Sequence, residues 1–489
     1  MIVESLVVAL ELPPAAEDVT AGYLNTGAAA LRVFQSFEVS GEDDVFKIAY
    51  DDRVAQQASF LSGKVRNPVL NNCPHFTLDE PVRHQQFSRL RESLLMHQLR
   101  VNDIAQPLLE DDMAGQMIEQ RLDELIFVES AAMIATQSLD VGDRRDVGEI
   151  LRKTGRKLYG MPDKAQSLGD IKRLMQKSAE YSVSPDHPLA EVARELHELV
   201  ALDVDVTVIE QQTLSPEDTD HYYQLLEAEC RPALSYAFED YPDQDSFTVE
   251  EMQAVFSKYV SFRGYDAAGM RVVIVLNRTI CATKQLPYVV EIGSRRPTAQ
   301  RSRKRVTQSL IHEVEVHGGR IYRGLKLGTG LAGYGLRRHE IFEEALAGTI
   351  EGIVYNKAEA KGEMQAMAIA VAAGYDNGQD RDFNDSFEAL WRLQAVKSFK
   401  LDGNIDTQIN DARTKAYGLL VRIWRGMPTD IAGCIYTKDQ AFRNTNTVLP
   451  YLRGPTGPLP RADFLRLLQA KYDPTIADQK AYIESLTVN

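Results

Sequence analysis

Residues 308–351 read QSLIHEVEVHGGRIYRGLKLGTGLAGYGLRRHEIFEEALAGTIE, and no other stretch limits the possible folds as much. His312 and His317 bracket Glu313 in an apolar segment with helical character, and a second such segment carries the adjacent pair Glu343 and Glu344. Two imidazoles, a carboxylate ligand and one further carboxylate to move protons are the inventory of a hydrolytic zinc site. In the common HExxH arrangement the histidines are four residues apart, about 40° from each other around a helix, and both reach one metal. Here the spacing is five. On a regular α-helix that puts the two rings roughly 140° apart, too far to share a tetrahedral site. A single π-bulge takes up the extra residue and restores the shared face. The spacing therefore predicts a helix locally widened between His312 and His317.

Glu313, directly after the first histidine, is expected to face the metal-bound water without ligating the metal, acting first as general base and then as acid toward the leaving amine. Helical spacing puts Glu344 on the side of Glu351 and turns Glu343 about 100° away, so only one of the pair is expected to bind. The residues alone leave that choice open, with His339 as a further candidate.

A net charge of −15 over 489 residues argues against general nucleic-acid binding. One local exception is the basic run 295–305, with Arg295, Arg296, Arg301, Arg303, Lys304 and Arg305. It could draw in an acidic peptide tail, although a helix face paired with nearby acids is the favoured reading. Apolar runs such as 270–276 are too short to span a bilayer, and the N-terminal stretch lacks the basic start and cleavage site of a signal peptide, so a cytoplasmic protein is expected. Cys73, Cys230, Cys281 and Cys434 show no CxxC spacing and read as buried free thiols.

Along the chain, residues 24–37 have helical spacing, 43–52 alternate like a short strand, and 67–81 form a proline-rich connector. Residues 82–159 and 187–203 read as amphipathic helices, with a stop at Gly160 and Pro162. Val- and Ile-rich strands are expected at 203–209, 269–277 and 286–293, framing a helix capped at Ser215 with Glu217 and Asp218 in its first turn. Further helices are expected at 358–375, 386–396 and 412–426. The fold class expected is thus α+β, mainly helical, with an N-terminal segment at 1–60, a helical lobe at 61–200 and a catalytic lobe at 201–489, the last two joined in one unit. A small sheet leading into the histidine helix is also the order of zincin cores, by analogy of fold alone.

HEVEVHGGR followed by GYGLRRHEIFEEALAGTIE resembles the signature of the tyrosine carboxypeptidases that act on the C-terminus of α-tubulin, whose bacterial relatives are the flavohemoglobin expression-modulating QEGLA-motif proteins. The connector NPVLNNCPHFTLDEP, then KLYGMPD, SFEALWRL, RIWRG and YTKD, are similar to pieces of the same pattern in the same order, so the resemblance spans roughly residues 60–460. It implies a gluzincin-like core within a helical shell. It also implies zinc held by His312, His317 and Glu344, the glutamate before the Gly-Leu-Ala position, with Glu343 left to orient an imidazole. The reaction implied is zinc-dependent removal of a C-terminal residue, an aromatic one among the candidates, from a peptide or protein, with acidic tails among the candidate substrates. Arg320, Arg422, Arg425 and Lys438 are candidates to grip the substrate carboxylate, with structural pairing put ahead of that role. Ala345 stands where the family has glycine, and residues 440–449 are extra to its pattern. Two alternatives are a zinc hydrolase of another amide or ester, and a regulatory or scaffold protein with a structural metal.

Overall fold

Several helix starts in this chain are set by short polar side chains that accept the otherwise unpaired first amides. Ser215 accepts from the Asp218 N–H at 3.0 Å, and Thr248 and Glu251 form a reciprocal capping box with contacts of 3.2 and 2.7 Å. Ser302, Asp382 and Asn404 cap three more helices in the same way. The computed structural model describes residues 50–70, single positions within 113–127, then 141–202, 213–275, 282–284, 289–294 and 300–486, apart from 328–330, 356, 358, 359, 444 and 446.

The elements run α1 (Tyr50–Leu61), α2 (Val141–Tyr159), α3 (Lys164–Ser182), α4 (Ala190–Leu199), α5 (Pro216–Ala237), β1 (Ser246–Phe247) and α6 (Val249–Phe262). Strands β2 (Arg271–Val275), β3 (Ala282–Lys284), β4 (Val289–Gly293) and β5 (Arg301–Ser302) follow, then α7 (Arg303–Leu310), a π-helix (Ile311–Gly318) and α8 (Gly319–Leu325). The rest is helical: α9 (Leu331–Tyr334), α10 (His339–Ile353), α11 (Glu363–Ala372), α12 (Phe383–Ser398), α13 (Ile405–Ile423), a 3-10 turn (Thr437–Phe442), α14 (Val448–Arg453), α15 (Arg461–Leu467) and α16 (Ala477–Leu486). The protein is mainly helical with a little sheet, the α+β class expected.

β4 is the middle strand of three. It pairs in parallel with β2, Arg271 opposite Val289 through Val275 opposite Gly293, and antiparallel with β3, Ala282 opposite Glu291. Val290 and Ile292 on β4 are fully buried. α6 packs on β2 and β4, and the π-helix packs on β3, β4 and α10. The two-residue pairing of β1 with β5 fastens the start of α6 to the start of α7.

One apolar core gathers Phe256, Val290, Val306, Ile311, Val314, Phe342, Leu346 and Leu452 around the π-helix. A second joins α2 to α11, α12 and α13 through Leu151, Phe383, Phe387, Tyr417 and Trp424, and a third packs α3 and α4 on α11 and α12. The helices of residues 141–199 thus share their cores with those of residues 363–423. Residues 440–449, read from the sequence as extra to the pattern it resembles, are fastened to α3, where Gln166 Nε2 donates to Thr445 Oγ1 at 3.2 Å and Arg443 pairs with Asp170.

Several local expectations can be placed. The strands at 269–277 and 286–293 correspond to β2 and β4. α2 ends at Tyr159, with Gly160 at φ +73°. The helix expected from residue 358 begins only at Glu363, because Gly362 before it sits at φ +78°. Residues 50–52, read as the end of a strand, begin α1 instead, whose following residues continue the helix rather than alternate. Residues 1–49, most of 71–140, the strand expected at 203–209 and the basic positions 295–299 lie outside the described residues. Cys230 and Cys434 are buried free thiols, and among the described residues no helix is long and apolar enough to cross a membrane.

Candidate metal centre

α7, the π-helix and α8 form one uninterrupted rod, since Leu310, Ile311, Gly318 and Gly319 at the two junctions all keep helical backbone angles. Its middle is widened as the five-residue spacing requires: the Gly319 N–H reaches the Val314 carbonyl, an i to i−5 bond. His312 and His317 therefore come to one side of the rod, with ring centroids 5.0 Å apart.

α10 supplies the carboxylates. Ligand atoms of His312, His317 and Glu344 all lie within 4.8 Å of one another. His312 Nε2 and His317 Nε2 each stand 4.0 Å from a Glu344 oxygen, and Glu313 Oε1 lies 4.0 Å from His312 Nε2. Of the adjacent glutamates, Glu344 is the one whose oxygens lie near both rings, at their Nε2 atoms, and Glu343 lies behind one of them.

Each ring is held from the back by a carboxylate. His317 Nδ1 lies 2.8 Å from Glu343 Oε1, and His312 Nδ1 lies 3.6 Å from Glu351 Oε2. A carboxylate only accepts, so at His317 the Nδ1–H points to Glu343 and Nε2 is left facing Glu344, while His312 lies beside Glu351 at ion-pair distance. Burial opposes charge on His317, but Glu343 outweighs it and raises the imidazole pKa.

Glu343 is itself buried and surrounded by donors: Lys471 Nζ at 3.1 Å, His339 Nε2 at 3.2 Å and Arg320 Nη1 at 3.8 Å. Burial alone would raise its carboxyl, yet Lys471, His317 and His339 hold it well below the usual range. Burial works the same way on Glu351, but His312, Lys361 and Arg305 bring its carboxyl down to about 2. Arg305 Nη1 reaches it at 2.7 Å.

The cations read as substrate grips fall into two groups. Arg320 is wholly buried, donates to the Ala470 and Tyr472 carbonyls at 2.6 and 3.0 Å, and stands behind Glu343 rather than facing solvent. Arg422 and Arg425 converge on the buried Asp439 at 2.5 and 3.0 Å, and Lys438 lies over the Tyr159 ring. In the basic run, Arg301 donates to the Gly293 carbonyl, Arg303 to carbonyls of residues 241, 242 and 244, and Lys304 covers the Tyr355 ring, which is structural pairing at each position.

His339, a further ligand candidate from the sequence, stands behind Glu343 instead, with Nε2 3.2 Å from Oε2, and three other neighbours of the site were not picked out by sequence reasoning: Glu351 beside His312, Lys471 beside Glu343, and Glu315 on the back of the π-helix. Glu351 had a signal, its helical phase with Glu344. Lys471 comes from a segment more than a hundred residues away and had none.

Two imidazoles and a carboxylate are donors of the kind zinc takes, and their ligand atoms, within 4.8 Å of one another, are grouped closely enough that they could hold a metal ion. No family model matches the chain, and comparison with curated proteins and with solved structures gives no match.

Proposed function

We propose that the chain is a zinc-dependent metallopeptidase with a gluzincin-like core, and that it acts as a carboxypeptidase on the C-terminus of a peptide or protein. The observation that carries this reading is the convergence of His312, His317 and Glu344 from two packed helices beside Glu313. Zinc, when bound, supplies a Lewis acid that polarises water and the scissile carbonyl near neutral pH.

This chain's residues do the remaining work. Glu313 takes the proton of the attacking water and returns it to the leaving amine, the same carboxylate serving as base and then acid. Glu343 and Glu351 fix the ring orientation of His317 and His312. Arg422, Arg425 and Lys438 are the proposed cations for the substrate's terminal carboxylate, which a guanidinium holds through two hydrogen bonds. The proposed place of action is the cytoplasm, where buried free thiols such as Cys230 and Cys434 persist.

The test is a library of peptides varied at the C-terminus, incubated with zinc-loaded protein and read by mass spectrometry. The wild type is expected to shorten a subset by one residue. Glu313→Gln should slow that reaction about 10²–10⁴-fold while retaining zinc. Cleavage of other amides or esters alone would favour a different zinc hydrolase, and zinc without any hydrolysis would favour a structural metal.

A further inference from the structure

Opposite the histidines, the same π-segment carries a second carboxylate, Glu315, between Val314 and Val316. Its side chain is 0% exposed. Two guanidiniums and two phenols close on it. Arg263, at the end of α6, places Nε 3.0 Å from Oε2 and Nη2 2.7 Å from Oε1. Arg323 of α8 donates Nη1 to Oε1 at 2.5 Å, and Tyr259 and Tyr265 reach Oε2 at 2.9 and 3.4 Å. Arg323 also donates Nη2 to the Glu315 backbone carbonyl at 3.0 Å and Nε to the Leu468 carbonyl at 2.6 Å.

These contacts depend on register. Residues 315 and 323 are eight apart, which on a regular α-helix turns them roughly 80° from each other. With one residue taken up by a π-bulge they fall nearly on one line, two turns apart, and the N-terminal tilt of helical side chains lets Arg323 reach back. The same widening aligns His312 with His317. Space for the clamp is provided by Gly319, where a Cβ would lie 2.6 Å from Arg323 Nη2 and 2.8 Å from Tyr265 Oη. The metal face and the buried face of the rod are thus satisfied by one backbone register.

From this geometry we infer that Glu315, clamped by Arg263 and Arg323, is a positioning residue that locks the rod in its π register and so brings His312 and His317 to one metal. The inference rests on the metal-site reading above. A return to the α register separates the two rings and breaks the Glu315–Arg323 contacts together. Loss of the clamp removes what opposes that return, because Arg263 and Arg323 would then face each other across a buried space.

The test uses the full chain with Co²⁺ as probe, because tetrahedral Co²⁺ shows strong visible absorption. Glu315→Gln keeps the volume and loses the charge. Asp376→Asn removes a comparable buried partner, that of Arg381, in the helical part of the protein away from the rod. At a temperature where both variants are folded, Glu315→Gln should bind Co²⁺ about 10–100-fold more weakly with a diminished visible band, the range seen when ligand-orienting groups are lost. Asp376→Asn should bind like the wild type. Equal affinity and spectrum for Glu315→Gln overturn the clamp and leave the metal site standing, and an equal loss in Asp376→Asn overturns it as general loosening. A wild type that takes up no metal overturns the metal-site reading and this inference with it. If Glu315→Gln does not fold, Tyr259→Phe, which deletes one contact, decides in its place: weakened Co²⁺ binding supports the clamp and unchanged binding overturns it.

Discussion

His317 and Glu343, 26 residues apart in the chain and on different helices, meet at 2.8 Å between Nδ1 and Oε1. The contact fixes which face of the imidazole is free. It also joins the site to the interior, because Glu343 carries Lys471, His339 and Arg320 behind it. Glu343→Gln is therefore expected to weaken zinc binding about 10–100-fold, as measured by competition with a chromophoric chelator. Glu343→Ala should in addition lower unfolding free energy by about 3–5 kcal/mol, because it leaves buried cations without their partner.

Acid should act through Glu315. Burial raises its carboxyl, but Arg323 and Arg263 overcome that and hold it at about 2 against an ordinary 4.5. A depressed folded value means stabilisation that is fully present above about 4.5 and is lost as pH falls toward about 2. That difference corresponds to roughly 3 kcal/mol at neutral pH. Denaturant melts of chelator-treated wild type and Glu315→Gln should differ most near pH 7 and draw together below about pH 4.5, with less than about half of the gap left at pH 3. A constant gap over that interval contradicts the assignment.

Gly335 ties a loop to the same network. Its φ is +110°, and a Cβ there would overlap the His339 ring that supports Glu343. Gly335→Ala should cost about 1–3 kcal/mol in backbone strain alone. Thermal melting reads that loss, and zinc affinity should fall in parallel as His339 is displaced.

The parts of this protein legible in its sequence are those written in local periodicity. The five-residue spacing of His312 and His317 pointed to the backbone register, because no regular α-helix brings both rings to one side, and the π-helix at Ile311–Gly318 follows. The runs RVVIV and VVEIG were readable as strands for the same reason. Long-range pairing was not readable. Arg263 and Arg323 lie 52 and 8 residues from Glu315, and nothing local says that they meet it from two elements. Glu315 itself carried a hint, a charge within an apolar helical run, whose phase points away from the histidines. Arg320 matched a motif position, yet its side chain turns inward to the Ala470 and Tyr472 carbonyls, which only the placement of that distant segment determines.

The most direct test of the account is the zinc content of the purified, dialysed protein by elemental analysis, beside His317→Ala and Glu344→Gln. The account predicts about one zinc ion per wild-type chain and far less in either variant. A wild type without zinc, or variants that keep as much as the wild type, would contradict it.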